Sequence, residues 1–216
     1  MTSRGRVALK VVVWAVALTP LAGLLYRFAI DDLTVNPIEY VTRELGEATI
    51  RLLLATLALT PLRLLFGWSW PVTLRRLLGL FAFFYGVLHF GVWIVLDHFF
   101  DWHTMGDDIV KRPWITVGVT ALVLLSPLAA TSTTGMIKRL GGRTWRRLHR
   151  LVYVAAVLGS LHYIWLAKKV LIQPWVYAAI LATLLGIRLV DAARGYAKRR
   201  RADATAGEKI VLGSRG

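Results

Sequence analysis

The chain contains no cysteine. That absence excludes a disulfide framework, a thiolate-ligated zinc or iron–sulfur cluster, and the C-x-x-C-H attachment of a c-type haem. Acidic residues are scarce as well: 12 Asp and Glu stand against 27 Lys and Arg among 216 residues, a formal net charge of +15. Charged residues of both signs make up only 18% of the chain, whereas 56% is hydrophobic and the mean hydropathy is +0.57. A soluble globule cannot keep so large an apolar fraction inside, and a disordered chain has the opposite balance. The basic excess first suggests nucleic acid, yet the cations fall between long apolar runs and do not gather on one polar domain. The pattern reads as a membrane protein with no nucleic-acid partner.

A helix needs roughly 20 mostly apolar residues to cross about 30 Å of hydrocarbon. Residues 77–96, 113–137, 151–167 and 170–187 carry no formal charge, the last two separated by a turn near Lys168, Lys169 and Pro174. Val11 to Tyr26 makes a first span, flanked by Lys10 and Arg27, whose long stems reach the headgroups. Its leading Arg4, Arg6 and Lys10 resemble a secretory signal, but the apolar stretch outruns signal length, so an uncleaved helix is expected. Glu44 to Phe66 is the sixth span, interrupted by Arg51, which lies four residues after Glu47 and is placed for a helical ion pair. The expectation is an all-α integral membrane bundle of six transmembrane helices over residues 1–192. Residues 193–216 are expected to form a basic cytoplasmic tail without fixed structure.

Six helices put both termini on one side. The face holding the amino terminus, the 63–76 and 138–150 loops and the tail from Arg188 collects 20 Lys and Arg against 3 acids; the opposite face has 6 against 9. The positive-inside rule makes the first face cytoplasmic. This predicts a multi-pass protein of a bacterial inner membrane, both termini inside, its tail around Lys198 to Arg201 resting on anionic lipid.

Ionisable groups within a span are functional hypotheses by default. Of five histidines, His98 and His103 sit in the polar outer loop, where solvation accounts for them. His89 and His162 lie inside the third and fifth spans, each in a G-x-L-H-aromatic context, with Gly86 and Gly159 three residues earlier. A glycine one turn away on nearly the same face lets a flat, bulky group approach the helix. His89 is 13 residues beyond Arg76 and His162 is 13 beyond His149, so both lie about 20 Å in from the same surface. Level with one another, they can clamp one iron from opposite faces, and that iron then belongs to a porphyrin. His149, at the inner edge, has the depth to hold a second haem. Thirteen residues is, however, about 140° short of whole turns, so an ideal helix points His149 and His162 in different directions. The competing reading of a membrane histidine is an interhelical hydrogen bond or a proton site in a transporter.

The basic cluster Arg75, Arg76, Arg143, Arg146, Arg147 and Arg150 serves as a topology signal, and guanidinium pairs there also suit haem propionates or a flavin nucleotide phosphate. Trp145, Trp165 and Trp175 read as interfacial belt residues.

The stretch from Leu78 to His89, the stretch from Lys138 to Tyr153, and His162-Tyr163 together resemble the MsrQ family of the ferric-reductase-like transmembrane group. The resemblance covers nearly the whole chain in length, span number and histidine placement. It implies a haem-binding membrane subunit of a bacterial system that repairs oxidised methionine in envelope proteins, with substrate chemistry on the partner. Haem ligands are then His89, His149 and His162, holding one or two b-type haems, with FMN as a further cofactor. Electrons pass to a periplasmic molybdopterin-containing methionine sulfoxide reductase. The group's larger relatives have four such histidines and a cytoplasmic flavin and nicotinamide domain. Here the position facing His149 offers Arg76, and only a short tail follows Asp191. The chain is therefore expected to receive electrons from quinol or a separate flavin reductase.

Overall fold

A computed structural model describes residues 3–166 and 171–213. It contains eight α-helices and, among the described residues, no strand: α1 Ser3–Ala29, α2 Pro37–Phe66, α3 Arg75–Val92, α4 Trp102–Lys111, α5 Pro113–Ala130, α6 Thr134–Leu148, α7 Leu151–Leu166 and α8 Gln173–Gly213. Helix boundaries follow local chemistry. The Asn36 side chain accepts the Glu39 N–H at the start of α2, and Pro37 occupies a position whose N–H has no helical partner. Gly67, at φ 71°, ends the same helix in the left-handed conformation that costs glycine nothing. In α1, Pro20 removes a backbone donor; the Thr19 hydroxyl satisfies Val16 O, and the fully buried Tyr85 hydroxyl bridges Leu21 N–H and Ala17 O, tying α3 to α1.

Among the described residues, five helical segments are long and apolar enough to cross a membrane: Val7–Ala29, Pro37–Phe66, Trp70–Asp97, Pro113–Ala130 and Gln173–Arg201. The protein is a multi-pass membrane protein. The expected fifth span appears as α7, an apolar helix of 16 described residues, and the turn near Lys168 and Lys169 lies outside the described residues. The expected uninterrupted span over residues 113–137 stops at Ala130. Thr133 caps a new helix there, its hydroxyl accepting the Met136 N–H, because a Ser-Thr pair offers the backbone side-chain partners that compete with the helix. The outer loop after Asp97 is also partly helical: Asp101 accepts the His103 and Thr104 N–H groups and starts α4. His98 is not solvated as expected. Its side chain is 8% exposed, packed against Trp93 with the ring planes tilted by 50°, and hydrogen-bonded through Nε2 to Asp108. No break in α8 marks the boundary expected after residue 192; Ala, Lys and Arg there are strong helix formers, and the helix continues to Gly213.

The packing places two antiparallel hairpins side by side. Helix α2 runs along α3 and α5 along α7; α3 also meets α5, and α2 meets α7. This closes a four-helix core with α3 and α7 at opposite corners. Helix α8 covers the α2–α7 side, and α1 lies against α2. Ala82, Ala155 and Ala156 are fully buried among leucines, which lets the backbones approach closely where the hydrophobic effect gives no net drive for association.

Candidate functional site

His89 on α3 and His162 on α7 face each other across the core, with ring centroids 6.1 Å apart and planes at 82°. Each imidazole is fixed by the hairpin partner of its own helix. His89 Nδ1 lies 2.8 Å from Thr42 O on α2, and His162 Nδ1 lies 2.6 Å from Trp114 O on α5. A carbonyl can only accept, so Nδ1 carries the proton on both rings and Nε2 keeps a lone pair.

One turn after each carbonyl stands a glycine. A Cβ at Gly46 would come within 3.2 Å of the His89 ring, and a Cβ at Gly118 within 2.7 Å of His162 Nδ1. Side chains on a helix lean toward its N-terminus, so the residue at i+4 normally screens the carbonyl at i. Without a Cβ, Gly46 and Gly118 open the Thr42 and Trp114 carbonyls to an imidazole. The two hairpins thus repeat one device: carbonyl at i, glycine at i+4, histidine on the partner helix. Sequence spacing marks the repeat, since Gly46 precedes His89 by 43 residues and Gly118 precedes His162 by 44. The G-x-L-H echo instead draws attention to Gly86 and Gly159. A Cβ at Gly86 would meet Leu122 and Thr49, and one at Gly159 would meet nothing within 4 Å.

The ring separation fits one metal ion held between two Nε2 atoms by bonds of about 2 Å each. Among the described residues no group of three His, Cys, Asp or Glu side chains is placed to hold a metal ion. Two histidines alone leave a metal ion's other positions unfilled, so the site suits a metal that brings its own planar ligand set.

Beside the pair lies a polar network. Glu47, adjacent to Gly46 and 3% exposed, accepts from Tyr163 Oη at 2.9 Å, Gln173 Nε2 at 2.9 Å and Arg43 Nε at 3.2 Å, and pairs with Arg51. Arg51 also donates to Tyr177 Oη at 2.8 Å. The Glu47–Arg51 pairing expected from sequence is present, but as part of a network joining α2, α7 and α8. Since Glu47 is the acceptor shared by Tyr163, Gln173, Arg43 and Arg51, Glu47→Ala is expected to cost on the order of 2 kcal/mol. Glu47→Gln should cost less. Unfolding in detergent micelles checks both, and unchanged stability of Glu47→Ala would refute the network's structural role.

His149 belongs to a separate cluster in the turn between α6 and α7. Its Nε2 lies 3.1 Å from Thr131 Oγ1, and its ring stacks on Trp145 at 3.9 Å. Trp145 donates in turn to Thr131 O, and burial lowers the His149 pKa below its ordinary value. Trp145 therefore packs on a histidine, where an interfacial belt residue was expected. Lying before α7 begins, His149 is free of the rotational register that conflicts with His162. Arg143, Arg146, Arg147 and Arg150 are exposed on α6 and this turn, Arg76 is exposed at the start of α3, and Arg75 donates to Thr60. Gly46 and Gly118 are the site residues that sequence reading overlooks, and Glu47 is read there only as half of an ion pair.

Residues 45–160 match the family model described as ferric reductase like transmembrane component, a stretch that holds His89 and His149 and ends two residues before His162. The chain is therefore a membrane protein of the ferric-reductase-like transmembrane class. A protein-methionine-sulfoxide reductase heme-binding subunit MsrQ from Rhodospirillum rubrum is 55% identical over 185 residues, covering 86% of this chain and 89% of the relative. Proteins of the same name from Ralstonia nicotianae and Herminiimonas arsenicoxydans are 51% identical over 184 residues and 50% over 201, covering 84% and 92% of this chain and 85% and 91% of the relatives. The chain belongs to the MsrQ family.

Proposed function

We propose that this chain is the electron-carrying membrane subunit of a protein-methionine-sulfoxide reductase system, with a b-type haem ligated by His89 and His162. The observation that carries this reading is the pair of imidazoles at opposite corners of a four-helix core, each with Nδ1–H bound to a backbone carbonyl and Nε2 left as a ligand. Bound there, the haem supplies a one-electron couple. The chain's own residues do the rest. Thr42 O and Trp114 O hold both tautomers and raise the basicity of Nε2, as outer-shell acceptors do for metal-bound histidine. The apolar helices keep water from the pair, and Gly159, where a Cβ would meet nothing within 4 Å, leaves room on the α7 face for a flat group, whereas the space beside Gly86 is taken by Leu122 and Thr49.

The paired site lies toward the end of the bundle that carries the acidic loops, since Thr42 and Trp114 stand near the starts of α2 and α5. With both termini in the cytoplasm of a bacterial inner membrane, that end faces the periplasm, where a molybdopterin-containing reductase would accept the electron. The donor is quinol or a cytoplasmic flavin reductase, and His149 holds a second haem nearer the donor side once Thr131 releases its Nε2. Arg75, Arg76, Arg146, Arg147 and Arg150 lie at that basic end, suited to propionates or the phosphate of FMN.

The deciding experiment is the visible spectrum of detergent-purified protein, oxidised and dithionite-reduced, with a pyridine haemochrome count. The expected result is a low-spin b-type spectrum with one or two haems per chain. A colourless, folded protein from haem-replete cells would sink the reading and favour proton transfer through the same histidines. His149→Ala is expected to leave the paired-histidine haem in place and remove or alter only a second one, and equal loss of all haem in this variant would contradict the assignment.

A further inference from the structure

We infer that Arg188, Arg75 and Arg63 form a binding site for an oxyanion, a phosphate or carboxylate carried by a cofactor or lipid, at the basic end of the bundle. Arg188 lies within α8, half-buried; its guanidinium donates to Leu57 O on α2 at 2.6 Å and to Tyr153 Oη on α7 at 2.9 Å. Its Nε is buried with no hydrogen-bond partner. Arg75 is tied to Thr60, three residues along α2 from the Leu57 carbonyl that Arg188 holds, and Arg63 follows Thr60 by three more on the same side of that helix. Three cations thus converge from α2, α3 and α8. Among the described residues none of the three is ion-paired with a carboxylate; every partner that Arg75 and Arg188 have is neutral.

A guanidinium cannot shed its proton, so the buried Nε of Arg188 remains a charged donor without a partner, which an incoming anion would satisfy with the exposed Arg75 and Arg63 beside it. A topology signal does not need this construction, because cations that only read the membrane potential sit at the surface in water, whereas Arg188 is held among helices with one donor sealed from solvent. A phosphate or carboxylate presents paired oxygens that match the guanidinium fork. The chain position also points to the ligand class: Tyr153, which orients Arg188, stands in the first turn of α7, four residues along the chain from His149 in the turn before it. The site therefore adjoins the inner histidine of the proposed function, and the assignment of a haem propionate or flavin phosphate rests on that reading, whereas an anionic lipid headgroup does not.

The test compares wild type, Arg188→Gln and Arg75→Gln, the second variant losing only one neutral partner and so guarding against misfolding. Three probes distinguish the sources: FMN against riboflavin, phosphatidylglycerol against phosphatidylcholine, and haem count with its redox titration. Tighter binding of FMN than of riboflavin in wild type, weakened at least about tenfold in both variants, assigns a flavin phosphate. A rise in Tm with phosphatidylglycerol that both variants lose assigns a lipid phosphate. A shifted potential or loss of the His149-dependent haem in both variants, with the other probes unchanged, assigns a propionate. If both folded variants match wild type on all three probes, the inference is overturned. A colourless protein whose FMN or lipid response still depends on Arg188 would defeat the haem reading and leave this site standing.

Discussion

His162→Ala is expected to abolish the low-spin haem signal of the proposed paired site, lowering its haem occupancy at least about tenfold, because a haem held there would keep only the His89 ligand. His89→Ala should produce the same loss. The double variant should be no worse than either single one, since the two imidazoles act as one clamp. Folding is not the cause: the Thr42 and Trp114 carbonyls that lose a side-chain partner sit inside α2 and α5, where each can still accept a helical hydrogen bond. Tm in detergent should therefore stay near that of wild-type protein prepared without haem. Haem counting and the reduced spectrum check the outcome. Full low-spin haem in His162→Ala would remove the ligand assignment.

Gly118→Ala is expected to be nearly as damaging, though it touches no ligand atom by chemistry. The added Cβ would stand 2.7 Å from His162 Nδ1 and 2.8 Å from Cε1, inside any tolerable contact. The ring cannot retreat without breaking its 2.6 Å bond to Trp114 O, the bond that directs Nε2 into the core. Displacing an outer-shell acceptor of this kind typically costs ten- to a hundredfold in metal affinity, and about that loss in haem affinity is expected here. Gly46→Ala should follow the same pattern more mildly, its Cβ meeting the His89 ring at 3.2 Å. Gly86→Ala meets only the end of the flexible Leu122 side chain at 3.3 Å and the Thr49 side chain at 3.6 Å. The expected order of haem loss is Gly118, then Gly46, then Gly86, measured by titrating haem into apoprotein. A Gly118→Ala protein that binds haem like wild type would show that the glycine does not set the ring's position.

Much of this was legible from period, length and charge. The helical spans announce themselves because a bilayer demands about 20 apolar residues in a row, and no folding context changes that demand. The depth match of His89 and His162 likewise needed only the helical rise. Where the expectation failed, competing local chemistry was responsible: Thr133 and Asp101 start helices that hydropathy cannot see, and His98 finds Asp108 across a turn.

The sequence by itself determined the membrane class, the helical architecture and the identity of the paired histidines, because each follows from quantities additive along the chain. Only the tertiary structure decided what holds those histidines facing each other. Which carbonyl binds Nδ1, which glycine yields the space, and which cations collect around Arg188 all depend on contacts between helices more than forty residues apart. Hydrogen bonds and steric contact act over about 3 Å, and no period in one strand of sequence encodes which distant residue will stand at that distance.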